Sequence, residues 1–324
     1  MSRTYRFRVV NVFAESAANA LVDDRECQEA ASPVGALHPR LTGNPLAVIE
    51  NAEGLSDAEM QQLALQFNLS ESTFICALVP DRADHEAAVP GRTAQFSSLD
   101  ADARVRIFTP RFEMPFAGHP TLGTAHVLRA LGRGGDVLKL QMKAGVIPVA
   151  ARGDVWTLTA NAPTHRAYEF TRAQIAAALG LDENDIAASP LWVNAGVEQL
   201  IVPLASADAV ARATPRAELC LQYCRNFMEA QAYVFAARDE RNIVSRYFFA
   251  QGGALIEDPG TGSACANLGG YLLATKAPLP LRRDVHQGAA TGRPCLLHLE
   301  VDSERHIRVG GRVIELMRGV LLLD

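Results

Sequence analysis

Arg106-Ile107-Phe108-Thr109-Pro110, running on to His119-Pro120-Thr121-Leu122-Gly123-Thr124-Ala125, is echoed by Arg246-Tyr247-Phe248-Phe249, running on to Asp258-Pro259-Gly260-Thr261-Gly262-Ser263-Ala264. The offset is about 139 residues. In both copies a strand gives way to a loop, an acid or base precedes Pro, a Gly follows four residues on, and a helix of small apolar residues continues (Thr124 to Leu131; Ser263 to Ala274). After each helix comes a Gln with a Gly close behind it, Gln141 to Gly145 and Gln287 to Gly292, and then further strands. An echo that keeps this order marks an internal duplication.

Two similar halves, each with several short strands and one principal helix, imply a pseudo-twofold protein with its site in a cleft between them. The expected domains are residues 1–160, with the C-terminal strand as a candidate to complete its sheet, and 161–324. Both helices carry few charges, so they read as buried all round rather than amphipathic, each wrapped by its own sheet. Their N-termini would turn unpaired N–H groups and positive dipole ends toward a ligand, which suits a small carboxylate. The echo sets His119 opposite Asp258.

Working outward, Tyr5 to Phe13 alternates as a strand does, and Gly43-Asn44-Pro45 turns the chain into the apolar strand Leu46 to Ile49. Between them, Ala14 to Thr42 loses all periodicity and reads as a loop insertion. Ser56-Asp57-Ala58-Glu59 is a capping box, and Leu55 can pack on Met60 as a hydrophobic staple. These predict a helix through Phe67 that stops at Asn68. Leu69-Ser70-Glu71-Ser72-Thr73-Phe74-Ile75 then leads into another strand, with Glu71 at the junction.

Composition bounds the function. The chain has 324 residues, 48% hydrophobic and 21% charged, which is the make-up of a globular protein able to bury a core. Lys and Arg number 31 against 36 Asp and Glu, with no sustained run of either sign, so nucleic acid and anionic lipid are disfavoured as partners. No run of 18 apolar residues and no signal-peptide block occurs, so the expected location is cytoplasmic, without a membrane association. Six cysteines (Cys27, Cys76, Cys220, Cys224, Cys265, Cys295) show neither a CxxC pair nor a disulfide framework. Cys220 and Cys224 would share a helix face, but two thiols do not make a metal site. Gly118-His119-Pro120-Thr121-Leu122-Gly123 lacks the spacing of a phosphate or dinucleotide loop, so no cofactor and no metal are expected. His126, His165, His286 and His298 have no motif around them, and Trp156 and Trp192 read as core.

The blocks Gly43-Asn44-Pro45-Leu46-Ala47-Val48, Asn68 to Phe74, Arg106 to Pro110, Pro115-Phe116-Ala117-Gly118-His119-Pro120-Thr121-Leu122-Gly123-Thr124-Ala125, and Glu257 to Ala264 occur in this order. Together they resemble the PhzF (phenazine biosynthesis-like) proteins, relatives in fold of diaminopimelate epimerase and proline racemase. The resemblance covers nearly the whole chain, departing at the insertion of Ala14 to Thr42. It implies an α+β fold of two pseudo-symmetric domains, each a β-barrel-like sheet around a central helix, an active site between them, and a homodimer. It also implies that Glu71 moves a proton within a dihydro-hydroxyanthranilate or a similar small carboxylate, with His119 and Asp258 as its catalytic companions. A carboxylate shielded from water can take a proton from one carbon and return it to another once its pKa rises toward neutrality.

Each of these residues also has a plain structural role open to it: Glu71 as an exposed turn residue, His119 as a core-bonded imidazole, Asp258 as a helix cap. Gly118, Thr261, Gly262 and Ser263 supply backbone N–H groups and hydroxyls for binding a substrate carboxylate. The main expectation is a cofactor-independent isomerase. One competitor is an epimerase or racemase of the same fold, which would need a thiol from each half, yet Cys265 has no counterpart in the first half. The other is a non-catalytic member that binds a metabolite or protein, which the retention of Glu71, His119 and Asp258 together disfavours.

Overall fold

The computed structural model describes residues 2–15, 38–78, 100–227, 229–251 and 254–323, so Cys27 and most of the insertion lie outside the described residues. The chain divides into two compact units, residues Met1–Thr159 with Gly310–Asp324, and Ala160–Val309. The last strand therefore counts with the first unit.

The first unit contains β1 (Arg3–Val12), β2 (Asn44–Ile49), α1 (Asp57–Phe67), β3 (Ser72–Cys76), β4 (Ala103–Phe108), β5 (Glu113–Met114), α2 (Gly118–Ala130), β6 (Val137–Met142), β7 (Gly145–Arg152) and β8 (Val155–Thr159). The second contains β9 (Thr164–Ala167), α3 (Arg172–Leu179), β10 (Leu191–Asn194), β11 (Glu198–Pro203), α4 (Ala207–Arg212), α5 (Ala217–Tyr223), β12 (Gln231–Ala237), β13 (Asn242–Gln251), β14 (Ala254–Asp258), α6 (Gly262–Ala274), β15 (Leu281–Gln287) and β16 (Cys295–Val301). Strand β17 (Ile307–Leu323) begins in the second unit and ends in the first.

In the first unit the ladders run β17 to β1 to β2 antiparallel, β2 to β3 parallel, β3 to β4 antiparallel, β4 to β6 parallel, then β6, β7 and β8 antiparallel. Pairing of β8 with β17 closes an eight-strand barrel. Closure leaves no sheet edge to cap, and α2 fills the inside. That helix buries His119 to Ala125, Val127 and Leu128, so it is enclosed on nearly every face, as its lack of charge predicts. The second unit repeats the ladder in the same order and sense, from β10 through β11, β12 and β13 to β15 and β16. There α6 is the buried helix, with Ala264 to Tyr271 and Leu273 inside.

Local signals read from the sequence reappear as structure. Ser56 caps α1 through the reciprocal bonds of a capping box, Leu55 and Met60 are both buried beneath it, and Asn68 ends the helix in a left-handed conformation at φ 51°. Gly43 is held at φ +92°, where a Cβ would lie 2.7 Å from the Val12 carbonyl oxygen, so glycine alone fits that turn. Trp156 and Trp192 are core residues, each with an arginine stacked on its ring (Arg129 at 4.8 Å and Arg166 at 4.7 Å). Among the described residues no helix is long and apolar enough to cross a membrane, and no group of three or more ligating side chains is placed to hold a metal ion.

The duplication is real, but its register differs from the sequence alignment. Arg106 grips Glu113 with two bonds of 2.8 and 2.9 Å and lies over Phe108, while Arg246 grips Glu257 with bonds of 3.0 and 2.8 Å and lies over Phe248. In the ladders Phe108 faces Glu113 and Phe248 faces Glu257. The strands are thus offset by 140 residues and the helices, starting at Gly118 and Gly262, by 144. This sets Asp258 opposite Met114 and Ser263 opposite His119, correcting the expectation that His119 and Asp258 are counterparts. The difference arises in the hairpin: β14 has five residues and β5 only two.

Candidate active site

Glu71 closes the short turn after α1 and stands immediately before β3, the parallel neighbour of β2. The next two side chains, Ser72 and Thr73, are fully buried, and Thr73 Oγ1 shares a 2.8 Å hydrogen bond with Thr124 Oγ1 of α2. Strand and helix are thereby held in fixed register, and this brings Glu71 to the first turn of α2. His119 is the second residue of that helix. Its Nε2 lies 3.5 Å from Glu71 Oε2, and the two side chains are only 7% and 15% exposed. Burial pushes the imidazole pKa down to about 3. His119 is therefore neutral at physiological pH, and the contact joins a neutral ring to a carboxyl group rather than two charges. The exposed-turn role for Glu71 does not fit this position.

The N-cap of α2 is Ala117, which makes no side-chain cap bond, so the first-turn N–H groups of Gly118 and His119 have no acceptor within the helix. Pro120 needs none. His119 thus belongs to the helix and does not precede it.

In the second unit Asp258 is the last residue of β14, and Thr261 is the N-cap of α6. Asp258 is not the cap. Gln287, at the end of β15 and 2% exposed, holds the junction: its Nε2 donates to the Asp258 carbonyl and to Thr261 Oγ1, both at 2.9 Å, and its Oε1 accepts from the Thr261 N–H at 3.3 Å. Because the backbone carbonyl can only accept and the N–H can only donate, the amide has one orientation. The Thr261 hydroxyl, already accepting from Gln287, donates to Asp258 Oδ2 at 2.5 Å. Both polar groups of Thr261 are thus engaged, which leaves Gly262 and Ser263 to present first-turn N–H groups.

The structure therefore brings Glu71, His119 and Gly118 together in the first unit, and Asp258, Thr261, Gly262 and Ser263 in the second. The sequence reading marked Gln287 only as a sign of the repeat and missed Gln199, Gln231 and Asn267; all four are buried. Polar residues inside apolar runs were the available signal. It also missed the repeat's sharpest signature, Glu113-Met114-Pro115 with Gly118 against Glu257-Asp258-Pro259 with Gly262.

Thiols sit away from such roles. Cys265 is fully buried in α6 and burial pushes its pKa far up, and the half-buried Cys76 is raised by the same cause.

The chain is similar in sequence and in fold to known proteins. The profile of the phenazine biosynthesis-like proteins matches residues 38–319. The whole chain is 34% identical to an uncharacterized isomerase of Pasteurella multocida, over 96% of that protein. It is also 34% identical, across 81% of this chain and 86% of the other, to a trans-2,3-dihydro-3-hydroxyanthranilate isomerase of Pseudomonas aeruginosa. In structure it is similar to a PhzF-family phenazine biosynthesis protein of Bacillus anthracis, with a TM-score of 0.75 at 22% identity, covering 99% of this chain and 100% of that one. A profile match across most of the length, joined to this repeated strand, loop and buried helix, shows that the chain belongs to the phenazine biosynthesis-like, or PhzF, family.

Proposed function

We propose that this PhzF-family isomerase moves a proton within a small carboxylate metabolite by general acid/base catalysis, with Glu71 as the proton carrier. The observation that carries the reading is the approach of Glu71 to a neutral, buried His119 across 48 residues of sequence. In its ionised form Glu71 takes a proton from one carbon; the electron pair of the broken C–H bond spreads into the adjacent unsaturated system; and the same carboxyl returns the proton to a different carbon. One C–H bond breaks and one forms, so nothing is oxidised or reduced and the step requires no cofactor. His119, uncharged, orients the carboxyl without fixing it as a carboxylate, which a cationic neighbour would do. In the second unit Asp258 and the first-turn N–H groups of Gly262 and Ser263 form a set suited to a ligand that carries a carboxylate, and the Gly118 N–H is the first unit's own donor.

The relatives named trans-2,3-dihydro-3-hydroxyanthranilate isomerase make that dihydroaromatic amino acid the first substrate to assay. Glu71→Gln is nearly isosteric and removes only the proton carrier. Turnover in that variant should fall at least about a hundredfold while the fold persists. Near-native turnover with unchanged deuterium uptake from D2O would overturn the assignment. Chelation and exhaustive dialysis should leave wild-type activity intact.

A further inference from the structure

Behind Ser263 lies a chain of buried amides whose hydrogen-bond polarity is fixed at every step. Asn267, 1% exposed in α6, accepts from the Ala195 N–H at 2.7 Å and donates to the Val197 carbonyl at 2.9 Å, so its amide cannot be flipped. Its remaining proton goes to Gln199 Oε1 at 2.8 Å. Gln199 Nε2 must then face outward, and it donates to Tyr247 Oη and to Ser263 Oγ, each at 3.2 Å. Tyr247 passes its own proton to Gln231 Oε1, whose amide is fixed in turn by a 2.7 Å bond from its Nε2 to the Glu198 carbonyl. Every member has one consistent assignment.

The fold does not require this chain. Strand register and helix start make Leu46 the counterpart of Gln199 and Gly123 the counterpart of Asn267. There the bare backbone of Gly123 lies against Leu46, so close that a Cβ added at Gly123 would stand 2.6 Å from Leu46 Cδ2. One barrel thus closes on its helix with hydrocarbon where the other spends two buried amides, which are costly unless a role retains them.

We infer that Asn267 and Gln199 are positioning residues that commit the Ser263 hydroxyl to donate to the ligand. Because Gln199 donates to Ser263 Oγ, the hydroxyl proton is turned away from the network; with the first-turn N–H groups it makes a set of donors only, selective for a ligand atom that can only accept, such as a carboxylate oxygen. The inference rests on the carboxylate reading of the proposed function.

The test is binding of anthranilate and of anthranilamide, measured by calorimetry on the full-length protein, with thermal melts beside it. Wild type should prefer the carboxylate. Ser263→Ala should lose about tenfold to a hundredfold on anthranilate and little on the amide, as for a hydrogen bond to a charged group. Gln199→Glu, which keeps Ser263 but draws its proton inward, should lose at least as much. Gln199→Met and Ser263→Ala combined should lose no more than Ser263→Ala alone. Additive losses, a Gln199→Glu protein that binds like wild type, or a wild type blind to the carboxylate would overturn the inference; if Gln199→Met does not fold, the Gln199→Glu arm decides. Near-native turnover of Glu71→Gln, by contrast, would sink the proton-transfer reading and leave this one standing.

Discussion

The two units share one plan and differ in the side chains around the first turn of the buried helix. Each has the Arg–Glu clamp, an aromatic ring under the arginine, a Pro shortly before a 13-residue buried helix, and an N-cap whose side chain makes no hydrogen bond to the helix's first turn. They part at the first turn of the buried helix and at the residue just before or at the start of the strand beside it. Ladder register makes Gln231 the counterpart of Glu71, and Ser263 the counterpart of His119. The first unit carries two titratable groups in contact, and the second carries an amide and a hydroxyl that do not titrate near neutral pH. On the proposed reading, duplication has separated proton handling from fixed hydrogen-bond donation.

The largest expected effect comes from erasing that difference. Glu71→Gln gives the first unit the residue of the second, and its loss should lie in turnover, at least about a hundredfold, with little change in melting temperature. The reciprocal Gln231→Glu should do the opposite. It sets a buried carboxylate against the Glu198 carbonyl that Gln231 Nε2 now serves, so stability should fall by at least about 2 kcal/mol, without added proton-transfer activity. Equal activity losses in both variants would show the division to be false.

A second swap concerns the packing behind each first turn. Gly123→Asn installs the second unit's residue where Leu46, Val12 and Val10 already lie within 2.6 to 3.1 Å of a Cβ, so overpacking should cost about 1–3 kcal/mol by denaturant melts. A stable Gly123→Asn protein would mean that the apolar and amide closures are interchangeable, and that Gln199 and Asn267 need no role beyond packing to be retained.

Much of this was legible in sequence where the signal was local. Ser56 and Glu59 satisfy the first N–H groups of α1 by themselves, and the uncharged runs after His119 and Thr261 state their burial directly. Glu71 and His119 were legible as candidates, but their contact depends on β3 packing beside α2, a long-range fact carried by Thr73 and Thr124. The repeat was found and mis-registered because His119-Pro120 falls near the strands' own offset from Asp258-Pro259. The better match, with Glu two before and Gly three after Pro115 and Pro259, is shifted by the longer second hairpin, where β14 has five residues against two in β5. Amide polarity was invisible, since it follows from which backbone groups Asn267 and Gln287 meet.

A smaller effect follows from the charge state of His119. An unfolded imidazole takes up its proton near the ordinary value of 6.5, whereas the buried one does so only near 3. Between these values the unfolded chain binds more protons, so stability should rise with pH, by up to about 1.4 kcal/mol per unit from this group. Ser263, its counterpart, contributes no such slope. Urea midpoints between about pH 4 and pH 6 should therefore flatten in His119→Gln relative to wild type. Parallel slopes would mean that His119 is solvated or paired in the folded protein.

The smallest effect is expected at Cys265, where the comparison supplies its own control. Its counterpart is Thr121, whose hydroxyl donates to the Ala117 carbonyl at 2.6 Å, four residues back in α2. Cys265→Ser offers the same bond to the Thr261 carbonyl, so the new hydroxyl need not stand unsatisfied in the core. Stability should then change by less than about 1 kcal/mol, and turnover should stay near wild type, because a thiol whose pKa burial drives far up stays protonated near neutral pH and cannot accept the proton. The measurement is turnover beside a thermal melt of the same sample, which separates lost chemistry from lost fold. A well-folded but inactive Cys265→Ser protein would move proton transfer from the carboxyl of Glu71 to thiol chemistry in α6, and the contrast between the two first turns would have to be redrawn around sulfur.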